Sequence, residues 1–216
     1  MIRLFKPPRW IDWVYPTCTW RFVVSDNTVF LTFDDGPHPD ITPFVLEALK
    51  KTDMKATFFC VGENMLLYPE IVHAILNAGH SIGNHTMRHT KGTAHSDAEY
   101  FESVDDFDKH YSTNLFRPPY GKTSYSQRKA LAKRFKIIMW SWLSYDYDQR
   151  VSNDRILKKA LSIQAGDIIV LHDNPKIAER QQVLLPQLLQ QLQSRGFTSH
   201  AIILDQNKSR ISSATT

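Results

Sequence analysis

Short apolar segments alternate with amphipathic helical segments along most of this chain. The apolar segments are rich in β-branched and aromatic side chains, which favours strands. They lie at 29–33, 56–60, 80–83, 115–117, 137–142, 168–171 and 201–204. Helical patterns separate them at 42–51, 69–78, 97–111, 124–134, 152–164 and 180–194, with Asp97, Ser124 and Ser152 as predicted N-caps. This alternation requires parallel strands joined by crossover helices, so the sequence predicts an α/β protein.

The number of repeats also indicates the architecture. No glycine-rich phosphate-binding loop follows the first strand, which favours a distorted or incomplete (β/α) barrel of about seven parallel strands over a dinucleotide-binding fold. Such barrels carry their active sites at the carboxyl ends of the strands. Polar residues follow five of the strand candidates or end them, namely Asp34, Asp35, His85, His89, Arg117, Tyr120, Asp146, His172 and Asp173. We therefore expect one site at that end of the barrel.

Charge and cysteine content limit the functional classes. The chain has 216 residues, with 26 Lys and Arg against 22 Asp and Glu, giving a net charge of +4. A dedicated nucleic-acid-binding protein usually carries a larger excess, so no nucleic-acid partner is expected. Most of the excess lies in the first 25 residues, where four cations face only Asp12. Cys18 and Cys60 are too few for a disulfide scaffold and are expected to be buried free thiols.

Residues 1–27 form a basic, aromatic-rich arm, which we separate from a domain at 28–205 and a polar tail at 206–216. The arm contains three of the five tryptophans, Trp10, Trp13 and Trp20. This mixture is typical of segments at a membrane surface, but the aromatics could instead cover one end of the core. Since no apolar run with a cleavage site begins the chain, we expect a cytoplasmic protein, with membrane contact through the arm as an open alternative. We also expect a monomer.

Two short patterns are candidates for metal binding. Asp34 and Asp35 end an apolar strand, where adjacent carboxylates repel each other unless a cation neutralises them, although a turn cap is an alternative. His85 and His89 are four residues apart, which places both rings on one face of a helical turn. With Asp35 as a third ligand, a fourth position stays open for water, as in catalytic zinc sites. The same ligand set occurs in non-haem Fe(II) oxygenases, which is a second alternative.

Four motifs follow one another along the chain: Thr32-Phe33-Asp34-Asp35-Gly36, His85-Thr86-x-x-His89, Arg117-Pro118-Pro119-Tyr120-Gly121 and Leu171-His172-Asp173. In this order they resemble the motifs of the polysaccharide deacetylases, the NodB-homology family of carbohydrate esterases, over about residues 28–205. The resemblance implies a hydrolase that removes N-acetyl groups from an amino sugar or polysaccharide by attack of a metal-bound water, releasing acetate and a free amine. Asp35, His85 and His89 would hold the metal, usually Zn²⁺, with Co²⁺, Mn²⁺ or Ni²⁺ accepted in some members.

The resemblance also implies the catalytic roles. Asp34 would be the general base, and Arg117 would hold its carboxylate in place. His172 would protonate the leaving amine, and Asp146 would orient it. The backbone N–H of Tyr120 would stabilise the developing oxyanion.

Five further residues are expected to contact the sugar: Pro119, Trp142, Leu143, Tyr147 and Leu171. Leu143 and Tyr147 stand where many family members have the first Asp and the Trp of an Asp-x-x-Asp-Trp motif, whereas the second Asp is retained. These departures leave the acceptor open among chitin oligomers, peptidoglycan, a lipid-linked sugar and a small N-acyl compound. A carbohydrate-binding protein on a lapsed deacetylase scaffold is a third alternative, which the retained ligands and proton-transfer residues argue against.

Overall fold

Nine strands form a single sheet in the computed structural model, which describes residues 3–204. The strands are β1 (Cys18–Thr19), β2 (Thr28–Asp34), β3 (Ala56–Cys60), β4 (Ser81–Asn84), β5 (Leu115–Phe116), β6 (Lys136–Ile138), β7 (Trp142–Leu143), β8 (Ile168–His172) and β9 (Thr198–Ser199). All their pairings are parallel, in the order β1-β6-β5-β4-β3-β2-β8-β7, and β9 pairs with the start of β2. The sheet curls into an incomplete barrel, which confirms the predicted fold class.

Eight α-helices surround the sheet in the described residues. They are α1 (Ile11–Val14), α2 (Thr42–Lys51), α3 (Gly62–Leu67), α4 (Pro69–Asn77), α5 (Asp97–His110), α6 (Tyr125–Leu131), α7 (Asn153–Ala160) and α8 (Ala178–Ser194). Ser124 and Ser152 cap α6 and α7 as predicted, because each hydroxyl accepts a backbone N–H of the first turn. The prediction for Asp97 is wrong by one residue, since Ser96 caps α5 in a reciprocal capping box with Glu99. None of these helices has the length and apolar character needed to cross a bilayer.

Two strand predictions fail for identifiable reasons. The segment 137–142 is divided between β6 and β7, which lie toward opposite ends of the sheet order. Between them the N–H of Met139 donates to Thr19 and that of Ser141 donates to Ile168, so the segment crosses the opening of the barrel. At the carboxyl end, residues 201–204 are not a strand, and the pairing with β2 is made by β9 instead.

The central strand β2 places the first site residues. It is flanked by β3 and β8 and covered on both faces, which is why it reads as an almost continuous apolar run. The register pairs Asp34 with Phe59 on one side and with His172 on the other. The ends of β2 and β8 are therefore level, and both open onto the same edge of the sheet.

The arm packs against the domain rather than standing apart from it. Phe5 and Trp20 are buried, and β1 extends the sheet by pairing with β6. Arg3 forms an ion pair with Asp148 at 2.6 Å, and Lys6 forms one with Asp167 at 2.7 Å. Much of the positive charge of the arm is thus used to hold it on the domain.

Other predictions about the ends of the chain and the thiols are answered only in part. Trp10 and Trp13 of the arm are exposed, in contrast to Trp20. Cys18 and Cys60 are free thiols, as predicted, but only Cys60 is buried and Cys18 is half-buried. The predicted tail at 206–216 lies outside the described residues, as does the boundary at 205.

Candidate active site

A cavity of about 660 Å³ opens at the carboxyl ends of the strands. Residues from six separate segments of the chain meet there, because parallel strands bring their carboxyl ends to one edge. Of the residues predicted from the sequence, the lining contains Asp34, Asp35, His85, His89, Tyr120, Leu143, Tyr147 and His172. Arg117 and Asp146 lie directly behind this lining and are fully buried.

Asp35, His85 and His89 bring three ligand atoms within 4.8 Å of one another. The Oδ1 atom of Asp35 lies 3.1 Å from Nε2 of His89 and 3.7 Å from Nε2 of His85. His85 donates from Nδ1 to the carbonyl of Arg117 at 2.7 Å, which leaves its Nε2 lone pair directed at the group. The backbone of Asp35 and His89 is left-handed, with φ of 83° and 51°, a strained conformation that concentrates at functional sites.

The protonation states of this group suit a divalent cation. Burial lowers the pKa of His85 to about 4, so its imidazole is neutral at physiological pH. Burial alone would raise the pKa of Asp35, but the hydrogen bond from His89 and the nearby imidazoles prevail and hold it well below its usual range. A neutral imidazole and an ionised carboxylate are the forms that bind metal, and two His with one Asp is a common catalytic ligand set for Zn²⁺.

Asn174 and Asp173 support Asp35, and neither was given this role from the sequence. Asn174 donates from Nδ2 to Oδ2 of Asp35 at 2.9 Å, so the other carboxylate oxygen is the one turned toward the imidazoles. The buried carboxylate of Asp173 accepts the N–H of Gly36 at 3.0 Å and thereby fixes the turn that follows Asp35. A Cβ at Gly36 would collide with that carboxylate, which explains the glycine. Asp173 belongs to a recognised motif, whereas no local pattern marks Asn174.

Replacing Asn174 with Ser should weaken Zn²⁺ binding by about 10-fold, because supports of this kind contribute 10- to 100-fold to metal affinity. Serine can still cap the turn at Pro175–Ile177, but it is too short to reach Asp35. Isothermal titration of the apoprotein with Zn²⁺ measures the change, with Asn77→Ala on the exposed face of α4 as control. Equal affinities for the wild type and Asn174→Ser would show that this hydrogen bond does not orient the ligand.

The fully buried guanidinium of Arg117 donates four hydrogen bonds, one of them to Asp34. Nη1 donates to Oδ1 of Asp34 and to the hydroxyl of Thr32, each at 2.7 Å. Nε and Nη2 donate to the carbonyls of Ile138 and Met139 at 3.0 and 2.9 Å. The second oxygen of Asp34 accepts no hydrogen bond from residues 3–204 and faces the cavity, so it is free to accept a proton.

His172 is set up as a proton donor by Asp146. Its Nδ1 donates to Oδ1 of Asp146 at 2.7 Å, and its backbone N–H donates to Oδ2 at 2.9 Å. Burial would lower the pKa of His172, but the charge and hydrogen bond of Asp146 prevail and raise it to about 10. Gln181 of α8 donates to Oδ2 of Asp146 at 2.7 Å, a support that sequence reasoning missed. The imidazole is thus protonated at neutral pH.

Tyr120 lines the cavity at its exposed rim. It is the middle residue of the 3₁₀ turn Pro119–Gly121 and has a φ of 59°. Its ring is 60% exposed and stands 4.7 Å from the ring of His89. The role expected for its backbone N–H stays a prediction.

The predicted sugar contacts divide into two groups. Leu143 and Tyr147 line the cavity, and the Tyr147 ring packs edge-on against His172 at 5.0 Å. Trp142 and Leu171 are fully buried in the core, and Pro119 is also buried; none of the three belongs to the lining. Their positions therefore do not support the predicted contacts.

Strand alternation accounts for Leu171 and identifies a residue that was missed. Successive side chains of a strand point to opposite faces, so Val170 shares the face of His172 and Leu171 does not. Val170 accordingly lines the cavity, as does Trp140 on the segment between β6 and β7. Counting back two residues from His172 would have found Val170.

Comparison with known proteins agrees with this geometry. The family model for polysaccharide deacetylase matches residues 23–136. A peptidoglycan-N-acetylglucosamine deacetylase of Bacillus cereus is 38% identical over 155 residues, which are 68% of this chain and 56% of that protein. A chitooligosaccharide deacetylase of Bradyrhizobium sp. is 32% identical over 200 residues, which are 83% of this chain and 91% of that protein. This chain therefore spans little more than half of the first relative and most of the second.

The fold is also shared with a solved structure. The crystal structure of the Bc1960 peptidoglycan N-acetylglucosamine deacetylase, in complex with 4-naphthalen-1-yl-N-oxidanyl-benzamide, has a TM-score of 0.79. Sequence identity is 32%, and the match covers 88% of this chain and 94% of that one. The chain belongs to the polysaccharide deacetylase family.

Proposed function

We propose that the protein is a metal-dependent N-deacetylase acting on an acetylated amino sugar. The observation that carries this proposal is the arrangement around the cation-binding group. A carboxylate with a free oxygen, Asp34, and a protonated imidazole, His172, end adjacent strands beside the Asp-His-His group. A proton acceptor, a proton donor and a Lewis-acid site in one cavity are what amide hydrolysis requires.

Asp35, His85 and His89 would hold a divalent cation, most simply Zn²⁺, which would supply Lewis-acid chemistry to the acetyl carbonyl and to water. Asp34 accepts a proton from the attacking water on its free oxygen, and Arg117 keeps that oxygen aimed into the cavity. His172 donates its proton to the amide nitrogen as the carbon–nitrogen bond breaks, so the amine leaves neutral. Acetate and the free amino sugar are the products.

The lining fits an acetamido sugar. Leu143, Val170 and Tyr147 surround the cavity near His172 with apolar surface, which suits the methyl of an acetyl group. Leu143 in place of an Asp makes that wall more apolar. The relatives named above act on peptidoglycan and on chitooligosaccharides, both of which contain N-acetylglucosamine, so we infer N-acetylglucosamine as the acetylated unit.

An acetate-release assay tests the proposal directly. With Zn²⁺ or Co²⁺ present, we expect acetate from chitooligosaccharides or from N-acetylglucosamine-containing peptidoglycan fragments. Removing the metal with a chelator should reduce release to the background rate, and adding it back should restore release. Release that survives complete chelation would contradict the proposed role of the Asp-His-His group. Turnover of 2-oxoglutarate with Fe(II) and O₂, in place of acetate release, would favour the oxygenase alternative.

Replacing Asp146 with Asn should move the alkaline limb of kcat/KM to lower pH. His172 acts in its protonated form, which is lost as pH rises through its pKa of about 10. The charge of Asp35 also raises the pKa of His172, and a bound cation would offset part of that effect. The alkaline limb of the metal-loaded enzyme should therefore lie below a pH of about 10 but above 6.5, the ordinary pKa of histidine. Asparagine at position 146 removes the negative charge that raises the pKa of His172, so His172 loses its proton at a lower pH.

The pH profile of kcat/KM distinguishes this role from a structural one. The exposed Asp154→Asn variant on α7 serves as control and should keep the wild-type profile. If Asp146→Asn loses activity equally at every pH, Asp146 does not set the pKa of the acid.

A further inference from the structure

A second cavity, of about 260 Å³, lies between the arm and the domain, next to the active site. The arm contributes Tyr15 and Trp20 to its lining, and the domain contributes Thr93, Lys122 and Arg128. Gly121 lines this cavity and the catalytic cavity alike. The two cavities are therefore neighbours across the turn that carries Tyr120.

The wall between the two cavities is thin. Trp140 lines the catalytic cavity and Trp20 lines the second one, and their rings meet edge-to-face with centroids 6.2 Å apart. Gly121 has a φ of 64°, and a Cβ there would collide with the Trp140 ring. The positive φ and the close approach of the Trp140 ring both require glycine at position 121. Because glycine has no side chain, this residue does not separate the two cavities.

The lining contains hydrogen-bond donors that have no acceptor within residues 3–204. The indole Nε1 of Trp20 is buried and has no hydrogen-bond partner within residues 3–204. Arg128 stacks over the Tyr15 ring at 4.7 Å, and neither it nor Lys122 has an ion pair in the described part of the chain. None of the residues lining the cavity is acidic. Aromatic faces with unpaired donors suit a ligand that has apolar ring faces and many oxygen acceptors, which describes a sugar ring.

We propose that the second cavity binds a sugar unit of the acceptor beside the one that is deacetylated, so that the enzyme prefers oligomers to short fragments. This inference rests on the proposed deacetylase function, and the shared boundary at Gly121 is what places the two units on one acceptor chain. Trp20 and Tyr15 provide ring faces, and Arg128 and Lys122 provide donors to hydroxyl or carboxylate oxygens.

Chain-length dependence tests the proposal. For the wild type, kcat/KM should be higher with chitohexaose than with monomeric N-acetylglucosamine, which has no neighbouring unit to fill the second cavity. Arg128→Ala should lower kcat/KM for the hexamer by about 10-fold, as expected for one lost charged hydrogen bond, while the monomer is unaffected. Thr93→Trp fills the cavity from its exposed rim without altering the contacts of the arm, and should act in the same way. Lys129→Ala, one residue along α6 and outside the lining, is the matched control.

Two results would overturn the proposal. One is a wild type that shows no preference for the hexamer; the other is a loss of the same size on both substrates in both variants, which would identify a structural effect of holding the arm. If no substrate releases acetate with metal present, the proposed function fails instead. The cavity is then tested by calorimetric titration of chitohexaose into the wild type and Thr93→Trp, and equal binding would refute the sugar site.

Discussion

Replacing Asp34 with Asn should lower kcat for acetate release by about 10²- to 10⁴-fold, the range expected on losing a general base. The amide oxygen can still accept the hydrogen bond of Arg117, so the side chain should stay in place, but its other end can no longer take a proton. Asp34 is not among the three cation ligands, and Zn²⁺ affinity should therefore stay close to that of the wild type. Single-turnover acetate release and calorimetric Zn²⁺ titration measure the two quantities separately.

The exposed Asp40→Asn variant controls for the loss of one carboxylate just beyond β2. It should retain both kcat and metal affinity. If Asp34→Asn turns over at the wild-type rate with bound metal, another group removes the proton and the assignment is wrong. If it loses metal as well as activity, Asp34 is a ligand rather than a base.

Replacing Arg117 with Met should lower the free energy of unfolding by about 3–5 kcal/mol, the usual cost of breaking a buried ion pair from one side. The guanidinium is fully buried, and four acceptors lose their donors together when it is removed. The largest part of the cost is the carboxylate of Asp34, which is left charged and buried without a partner. Urea denaturation followed by circular dichroism measures the change.

A double-mutant cycle separates the ion pair from simple packing. In the Asp34→Asn background no buried carboxylate is left unpaired, so Arg117→Met should cost clearly less than it does in the wild type. Arg117→Lys restores the charge but cannot reach four acceptors with one ammonium group, so it should only partly recover stability. An equal cost of Arg117→Met in both backgrounds would show that the residue contributes packing alone.

The barrel and the inner part of the site were predictable for one physical reason. Parallel strands gather their carboxyl ends, so polar residues that follow separate strands, such as Asp35, His85 and His172, meet without any knowledge of the helices between them. The supports behind them were not predictable in the same way. Asn174 and Gln181 act through single long-range hydrogen bonds, and glutamine on a helix or asparagine in a turn carries no periodic or motif signal.

The division of 137–142 shows a second limit. An unbroken apolar run reads as one strand, because periodicity describes only local burial. Here the backbone N–H of Met139 donates to Thr19 of the arm, and that of Ser141 donates to Ile168 at the start of β8. Because these two partners lie in different parts of the sheet, the apolar run is divided between two strands. The sequence of the arm also left open whether its aromatic side chains are buried or exposed. Trp20 is buried and Trp13 is exposed, although both lie in the same aromatic-rich segment.

The anchoring of the arm has a consequence for the order of folding. The hydrogen bond between Arg3 and Asp148 joins residues 145 positions apart, and the one between Lys6 and Ser162 joins residues 156 positions apart. Closing loops of this length costs entropy, and β1 is a two-residue strand at the edge of the sheet, so we expect the arm to dock late and to be the first unit released in native-state hydrogen exchange. Amides of β1 should then exchange well before those of β2. Sub-global opening of this kind would dismantle the second cavity while the metal ligands stay assembled.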